Sequence, residues 1–152
     1  MIQLKDVNEE NWRAVAQVSV NEEQQGFLDR SIGIIARGYV YRDCNARVFA
    51  IVNDGEIVGV ALVRDLDEAP ACYDLQQYMI DKRFQNRGYG QEALQLIIAM
   101  LQTERKYDCI EVCVNKNARS ALHIYQKAGF QDTGYTDEAA KDCLNLMYFF
   151  SK

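Results

Sequence analysis

The stretch Gln85-Asn86-Arg87-Gly88-Tyr89-Gly90 joins a segment that reads as a strand, Cys72 to Asp81, to one that reads as a helix, Gln91 to Gln102. The helix follows from Ala93, Leu94, Ile97, Ile98 and Leu101, which recur at helical spacing and share one face. Two glycines in the connection permit a tight turn and close approach of a ligand. Unpaired N–H groups at the helix start, together with the helix dipole, attract phosphate oxygens. A pyrophosphate-binding turn is therefore expected, with a plain strand-to-helix turn as the bland alternative. The segment lacks the Lys-Ser/Thr ending of a nucleoside-triphosphate loop, and Ala93 stands where a dinucleotide fingerprint needs glycine. Both of those chemistries are demoted.

Upstream of this turn, Ile2 to Val7 alternates apolar and polar residues as a half-buried strand does. Asn8 is placed to cap a helix carrying Trp12, Val15, Ala16 and Val18. A second helix is expected from about Phe27 to Tyr41, weakened by Gly33 and Gly38. Val48 to Val52 and Ile57 to Val63 are β-branched runs joined by Asn53-Asp54-Gly55-Glu56, where Asp-Gly suits a tight hairpin. Downstream, Asp108 to Val114 reads as a strand and Ala118 to Lys127 as a helix. Gly129-Phe130 then stops that helix before a last strand pair near Phe130 to Tyr135 and Leu144 to Phe150. Early hairpins followed by strand-helix alternation predict an α/β (α+β) domain with a mixed, mainly antiparallel sheet and helices on both faces.

The chain has 152 residues, 49% hydrophobic and 26% charged, which suits one domain over residues 1–152 with a core that needs no disulfide or metal staple. Seventeen Lys and Arg against 22 Asp and Glu leave a net charge of -5. That balance argues against nucleic acid and an anionic membrane as partners and suits a small cationic one, although mild acidity also simply aids solubility. Cys44, Cys72, Cys109, Cys113 and Cys143 are odd in number and contain no C-x-x-C pair, so they read as reduced core thiols of a cytoplasmic protein. His123 is the single histidine and reads as a helix-surface residue, so no metal site is expected. The start MIQLKDVNEENW has no leader pattern, and the apolar stretch Leu94 to Leu101 is too short to span a membrane.

A second motif lies in Asn117-Ala118-Arg119-Ser120-Ala121-Leu122-His123-Ile124-Tyr125-Gln126-Lys127-Ala128-Gly129-Phe130. With the glycine loop, it resembles the GNAT superfamily of N-acetyltransferases, whose acetyl-coenzyme A loop has the pattern Q/R-x-x-G-x-G/A and whose later helix ends in Tyr-x-x-x-Gly-Phe. The resemblance spans nearly the whole chain and is narrowest toward bacterial spermine/spermidine acetyltransferases, through Glu23-Gln24-Gln25-Gly26-Phe27-Leu28 and Tyr78-Met79-Ile80-Asp81-Lys82-Arg83-Phe84-Gln85. It implies direct acetyl transfer from acetyl-coenzyme A to a primary amine, with a small-molecule amine as partner; a homodimer is compatible with it.

The resemblance implies a coenzyme site along Tyr78, Met79 and Ile80, the loop Gln85, Asn86, Arg87, Gly88, Tyr89, Gly90 and Gln91, and Asn117. Two positions depart from the family. Its helix commonly opens with Asn at the position held here by Ala118, one residue after Asn117. Several polyamine acetyltransferases carry a carboxylate where Gln76 stands, which leaves the general base unassigned.

Elementary chemistry supports a tyrosine acid, because the leaving group is a thiolate and a phenol with pKa near 10 still holds its proton at neutrality. Tyr125 is the expected general acid. The attacking amine must first lose a proton, for which Asp74, Glu22 and Glu23 are the candidates, and with Gln76 these make up the expected acceptor side of the site. An aminoglycoside, amino acid or peptide amine is the alternative acceptor, and a non-catalytic acyl-coenzyme A binding module is the alternative of another class.

Overall fold

A computed structural model describes residues 1–151. Seven strands form one sheet: β1 (Ile2–Asp6), β2 (Arg47–Asn53), β3 (Glu56–Leu66), β4 (Cys72–Ile80), β5 (Cys109–Asn115), β6 (Gln131–Asp132) and β7 (Cys143–Phe149), in the order β1-β2-β3-β4-β5-β7-β6. Four α-helices accompany it: α1 (Trp12–Ala16), α2 (Ser31–Val40), α3 (Tyr89–Glu104) and α4 (Arg119–Ala128). Among the described residues every strand pair is antiparallel except β4–β5.

The sheet separates two apolar layers. Val15, Val18 and Ile34, from α1, the segment after it and α2, meet Ala50, Val60 and Leu62 on one face. On the other, Leu94, Ile97 and Leu101 of α3 meet Ile51, Val63 and Ile110. Each fully buried Leu or Ile contributes about 1.5–3 kcal/mol, so the period-3.6 stripe of α3 anchors this layer.

Two departures from regular pairing shape the C-terminal half of β4. Leu62 faces Gln77 while Val63 faces Leu75, so Gln76 has no partner on β3 and β4 bulges there. The bulge changes the parity of the strand: Tyr73 and Leu75 face the α3 layer before it, and Ile80 faces the same layer after it. In addition, β4 and β5 pair only at Tyr73↔Ile110 and Asp74↔Glu111, then part company, leaving a gap between their C-terminal halves.

The sequence expectations need four corrections. The segment Phe27 to Tyr41 is not one helix: a 3-10 turn spans Glu22–Phe27, then extended Leu28 (φ -137, ψ 157) and Arg30 (φ -70, ψ 150) precede α2 at Ser31. A reciprocal Asn21/Gln24 capping box starts the 3-10 turn as a separate element. The first helix is only five residues, and Asn11 occupies its N-cap, while Asn8 receives the N–H groups of Glu10 and Asn11 in the turn before it. The last hairpin shrinks to a two-residue β6 beside β7. Finally, only Cys72 and Cys109 of the five free cysteines are buried, and Cys113 is exposed.

Candidate active site

The gap between β4 and β5 opens into a cleft of about 660 Å³, walled by Tyr78–Ile80 on one side and Val112–Asn115 on the other. The 3-10 turn covers one end through Glu23, Gln24 and Phe27, and α4 flanks the other. Cys113 on the β5 wall holds a thiol rather than a thiolate at neutral pH, because desolvation and the adjacent Cys143 push it up to about 12.

The glycine loop has the backbone features that suit an anion. Asn86 (φ 63) and Gly88 (φ 84) both lie in the left-handed region, which turns successive backbone amides toward the same side. Gly88 is the N-cap of α3, and no side chain caps the helix. The first backbone bond of α3 from this end runs from Glu92 N–H to Gly88 O at 3.1 Å, so the N–H groups of Tyr89, Gly90 and Gln91 precede the ladder. An added Cβ at Gly88 would meet nothing within 4 Å, as expected where the chain borders open cleft. Gly90 serves a different purpose from the one read in sequence: a Cβ there would come within 3.1 Å of Ile124 Cδ1, so its lack of side chain lets α3 pack on α4.

Three tyrosines line the cleft, and their hydroxyls differ. Tyr78 donates its proton to the Gly90 carbonyl. Tyr89 accepts from Asn53 Nδ2 at 3.0 Å. Tyr125 is buried, and its hydroxyl forms no hydrogen bond to the described residues. Burial pushes the Tyr125 phenol above its ordinary value, so it keeps its proton at neutral pH. Its ring centroid lies 6.2 Å from that of Tyr78 and 5.5 Å from that of Phe130, the residue after the terminal glycine of the helix motif.

The residues expected from sequence divide by position. Tyr78, Met79, Ile80, Gln85, Asn86, Gly88, Tyr89, Gly90 and Gln91 line the cleft, as do Asn117, Tyr125, Gln76 and Glu23. Gln85 also braces it, donating Nε2 to Ile80 O at 2.9 Å and to Gln24 Oε1 at 3.0 Å. Arg87 does not line the cleft; its guanidinium stands 5.5 Å over the Phe84 ring. Glu22 is also outside the lining, although Glu23 beside it is within. Asp74 lies outside too and bonds Arg64 Nε at 2.9 Å. Burial raises the Asp74 carboxyl while Arg64 pulls the other way. Arg64 is therefore a partner that the strand sequence alone did not reveal.

Gln76, displaced by the bulge, presents a buried Oε1 with no hydrogen-bond partner. An unpaired buried acceptor is unfavourable by roughly 1–3 kcal/mol, which a donor on a ligand would relieve. Sequence reasoning missed the β5 wall, because Val112 and Val114 read only as strand residues, and the α4 side chains Arg119, His123 and Lys127. Their i, i+4 spacing was the available signal for the latter three.

The profile of the Acetyltransferase (GNAT) family matches residues 1–130. The spermine/spermidine N(1)-acetyltransferase of Bacillus subtilis (strain 168) is 25% identical over 142 residues, covering 90% of this chain and 91% of that protein. The crystal structure of a Vibrio cholerae spermidine N-acetyltransferase in complex with CoA and spermine superposes with a TM-score of 0.74 at 13% identity, covering 97% and 95% of the two chains. A GNAT family acetyltransferase of Elizabethkingia anophelis with acetyl-CoA bound gives 0.68 at 15% identity, covering 98% of each chain. The chain belongs to the GNAT acetyltransferase family and is an acetyl-coenzyme A-dependent N-acetyltransferase.

Proposed function

We propose that the protein acetylates a primary amine of a linear polyamine such as spermidine or spermine, by direct attack on the thioester with Tyr125 as general acid. The observation that carries the mechanism is the Tyr125 hydroxyl, protonated and without a protein partner in a cleft where Tyr78 and Tyr89 are both engaged. Pyrophosphate rests on the amides from Asn86 to Gln91, and the pantetheine arm pairs with the backbone of Tyr78 to Ile80. In this reading Asn117, which lines the cleft, flanks that arm.

In the reaction, the neutral amine nitrogen forms a bond to the thioester carbon, giving a tetrahedral intermediate. The carbon–sulfur bond then breaks as the Tyr125 O–H proton passes to sulfur, while the nitrogen releases its extra proton to water and the Tyr125 phenolate regains one from water, which restores the acid. Gln76 Oε1 accepts an N–H of the amine and fixes its line of attack. An amide cannot take the proton, so it positions and does not deprotonate. Glu23 attracts the cationic acceptor. The polyamine assignment draws support from the B. subtilis relative. A peptide amine is the second reading, favoured by Glu23 being the one carboxylate on the cleft lining. An acceptor screen with purified protein and acetyl-coenzyme A tests both: spermidine and spermine should give the highest kcat/KM, and a peptide or amino acid ranking first would overturn the polyamine assignment.

A further inference from the structure

The Tyr125 hydroxyl has no hydrogen-bond partner among the described residues, so the packing of its ring alone decides where its proton points. Tyr125 stands in the last turn of α4, and the end of that helix closes on it. Gly129 takes the left-handed conformation (φ 109) and its N–H donates to Gln126 O at 3.1 Å, while the Phe130 N–H reaches back to Tyr125 O at 3.0 Å. That pair of bonds is a Schellman ending, in which the residue after the left-handed glycine packs on the residue five before it. Here the two are Phe130 and Tyr125, edge-on with 5.5 Å between ring centroids. The Tyr-x-x-x-Gly-Phe pattern is thus a helix stop whose apolar contact is the ring of the general acid.

This ending is seated on β7. An added Cβ at Gly129 would come within 3.2 Å of Tyr148 Cε2, and the Tyr148 ring centroid lies 5.5 Å from that of Phe130. Tyr148 pairs with Ile110 of β5 and packs against the α3-side layer, and neither it nor Phe130 lines the cleft. The contacts continue from Tyr148 to Phe150 at 5.9 Å and from Phe150 to Tyr73 at 6.2 Å. Tyr73 is fully buried, and its hydroxyl accepts from the Lys106 N–H at 2.7 Å and donates to Glu104 Oε1 at 3.2 Å. A row of rings therefore runs from a hydrogen-bonded anchor in the core to a phenol that has none. Among the described residues the Tyr148 hydroxyl joins no hydrogen bond, so its ring is the part that bears on the row. We propose that Tyr148 is a positioning residue for the reaction: through Phe130 it fixes the ring of Tyr125, and hence the line along which the phenol proton meets the departing sulfur. This role rests on Tyr125 as general acid and deepens that reading by naming what aims a donor without a polar partner.

Steady-state kinetics and calorimetric titration with coenzyme A test the role. Tyr148→Leu keeps an apolar side chain but takes the ring from beneath the helix ending. It should lower kcat by roughly ten- to 10²-fold, the scale expected when a reacting group is misplaced by about 1 Å, while KM for both substrates and coenzyme affinity stay within about twofold of the parent. Tyr148→Phe keeps the ring and should hold kcat within about twofold of the parent. In a Tyr125→Phe background, Tyr148→Leu should slow kcat no further, because no phenol proton remains to be aimed; a purely structural role would cost the same in either background. Thermal unfolding checks that each variant is folded. If Tyr148→Leu does not fold, Phe130→Leu interrupts the same row one ring closer and should give the same loss confined to kcat. Full kcat in the folded variant, a loss shared between kcat and coenzyme affinity, or equal losses in the two backgrounds would overturn the positioning role alone. A Tyr125→Phe enzyme with full turnover would instead overturn the general acid, and the positioning role with it.

Discussion

Gln24 and Gln85 exchange hydrogen bonds through both side-chain amides, Gln24 Nε2 to Gln85 Oε1 at 3.3 Å and Gln85 Nε2 to Gln24 Oε1 at 3.0 Å. The pair joins the 3-10 turn that covers one end of the cleft to the first residue of the glycine loop. Gln85 also reaches the carbonyl of Ile80, the last residue of β4, so one amide holds three pieces of the site in register.

Breaking the pair should therefore disturb donor and acceptor together. Gln24→Ala and Gln85→Ala should each raise KM for both substrates by a few-fold, and a double-mutant cycle should return a coupling of about 1 kcal/mol, typical of a part-buried hydrogen bond. Urea unfolding and steady-state kinetics on the four proteins measure both. Strictly additive effects would show that the turn and the loop are independent.

Gly88 combines a positive φ of 84° with open space beyond it, so charge and backbone strain can be separated there. Asparagine tolerates the left-handed region better than other side chains, and Asp differs from it mainly in charge. Gly88→Asn should retain most coenzyme affinity, whereas Gly88→Asp should lower it by at least about tenfold by placing a negative charge at the helix N-terminus that receives phosphate. Calorimetry on folded variants decides. Equal affinity in the two would reject the cradle.

Tyr125→Phe should reduce kcat by roughly 10²- to 10⁴-fold, the usual range for positioned acid–base help, with coenzyme affinity retained. The pH dependence follows from the raised phenol. A general acid works in its protonated form, and raising its pKa extends that form to higher pH. The tyrosine should thus impose no alkaline loss of kcat up to about pH 10, its unperturbed value. Tyr78→Phe gives the contrast, because that hydroxyl is committed to the Gly90 carbonyl. Its removal should loosen the β4–α3 junction and weaken coenzyme binding more than it slows chemistry. A Tyr125→Phe enzyme with full turnover would end the proton-donor assignment.

Local chemistry made much of this legible in sequence. The Asn53 to Glu56 hairpin, the strand-loop-helix unit around Gly88, the α3 stripe and the position of Tyr125 all depend on residues within one or two turns of each other. What escaped depends on partners far along the chain. Gln76 is lifted from its strand by a register shift against Leu62 and Val63, and nothing in its own neighbourhood marks a bulge. Asp74 lies outside the cleft lining and is paired with Arg64 across the β3–β4 hairpin. Phe27 and Leu28 looked helical because they are apolar at the right interval. Their backbone instead belongs to a capped 3-10 turn and an extended linker whose apolar side chains line the cleft.

The acceptor prediction turns on two neighbouring carboxylates that the fold treats differently. Glu23 lines the cleft and Glu22 does not, although both lie in the first turn of the same 3-10 segment. A polyamine brings ammonium groups away from the reacting nitrogen, and their attraction to Glu23 supplies binding that a monoamine cannot use. Glu23→Gln should therefore raise KM for spermidine by roughly three- to tenfold more than KM for a monoamine, and the preference for spermidine should shrink as salt shortens the Debye length from about 10 Å at 0.1 M. Glu22→Gln is the internal control: it removes the same charge a residue away and should shift the ratio of the two KM values less than twofold, as a screened surface charge does. Equal changes with both substrates in the Glu23→Gln enzyme would show that Glu23 acts on the fold rather than on the distal ammonium. Equal effects of Glu22→Gln and Glu23→Gln would mean that only the net field of the turn matters. A higher kcat/KM for a carboxylate-bearing acceptor would sink the polyamine assignment and leave acetyl transfer through Tyr125 untouched, because the donor half of the cleft does not depend on Glu23.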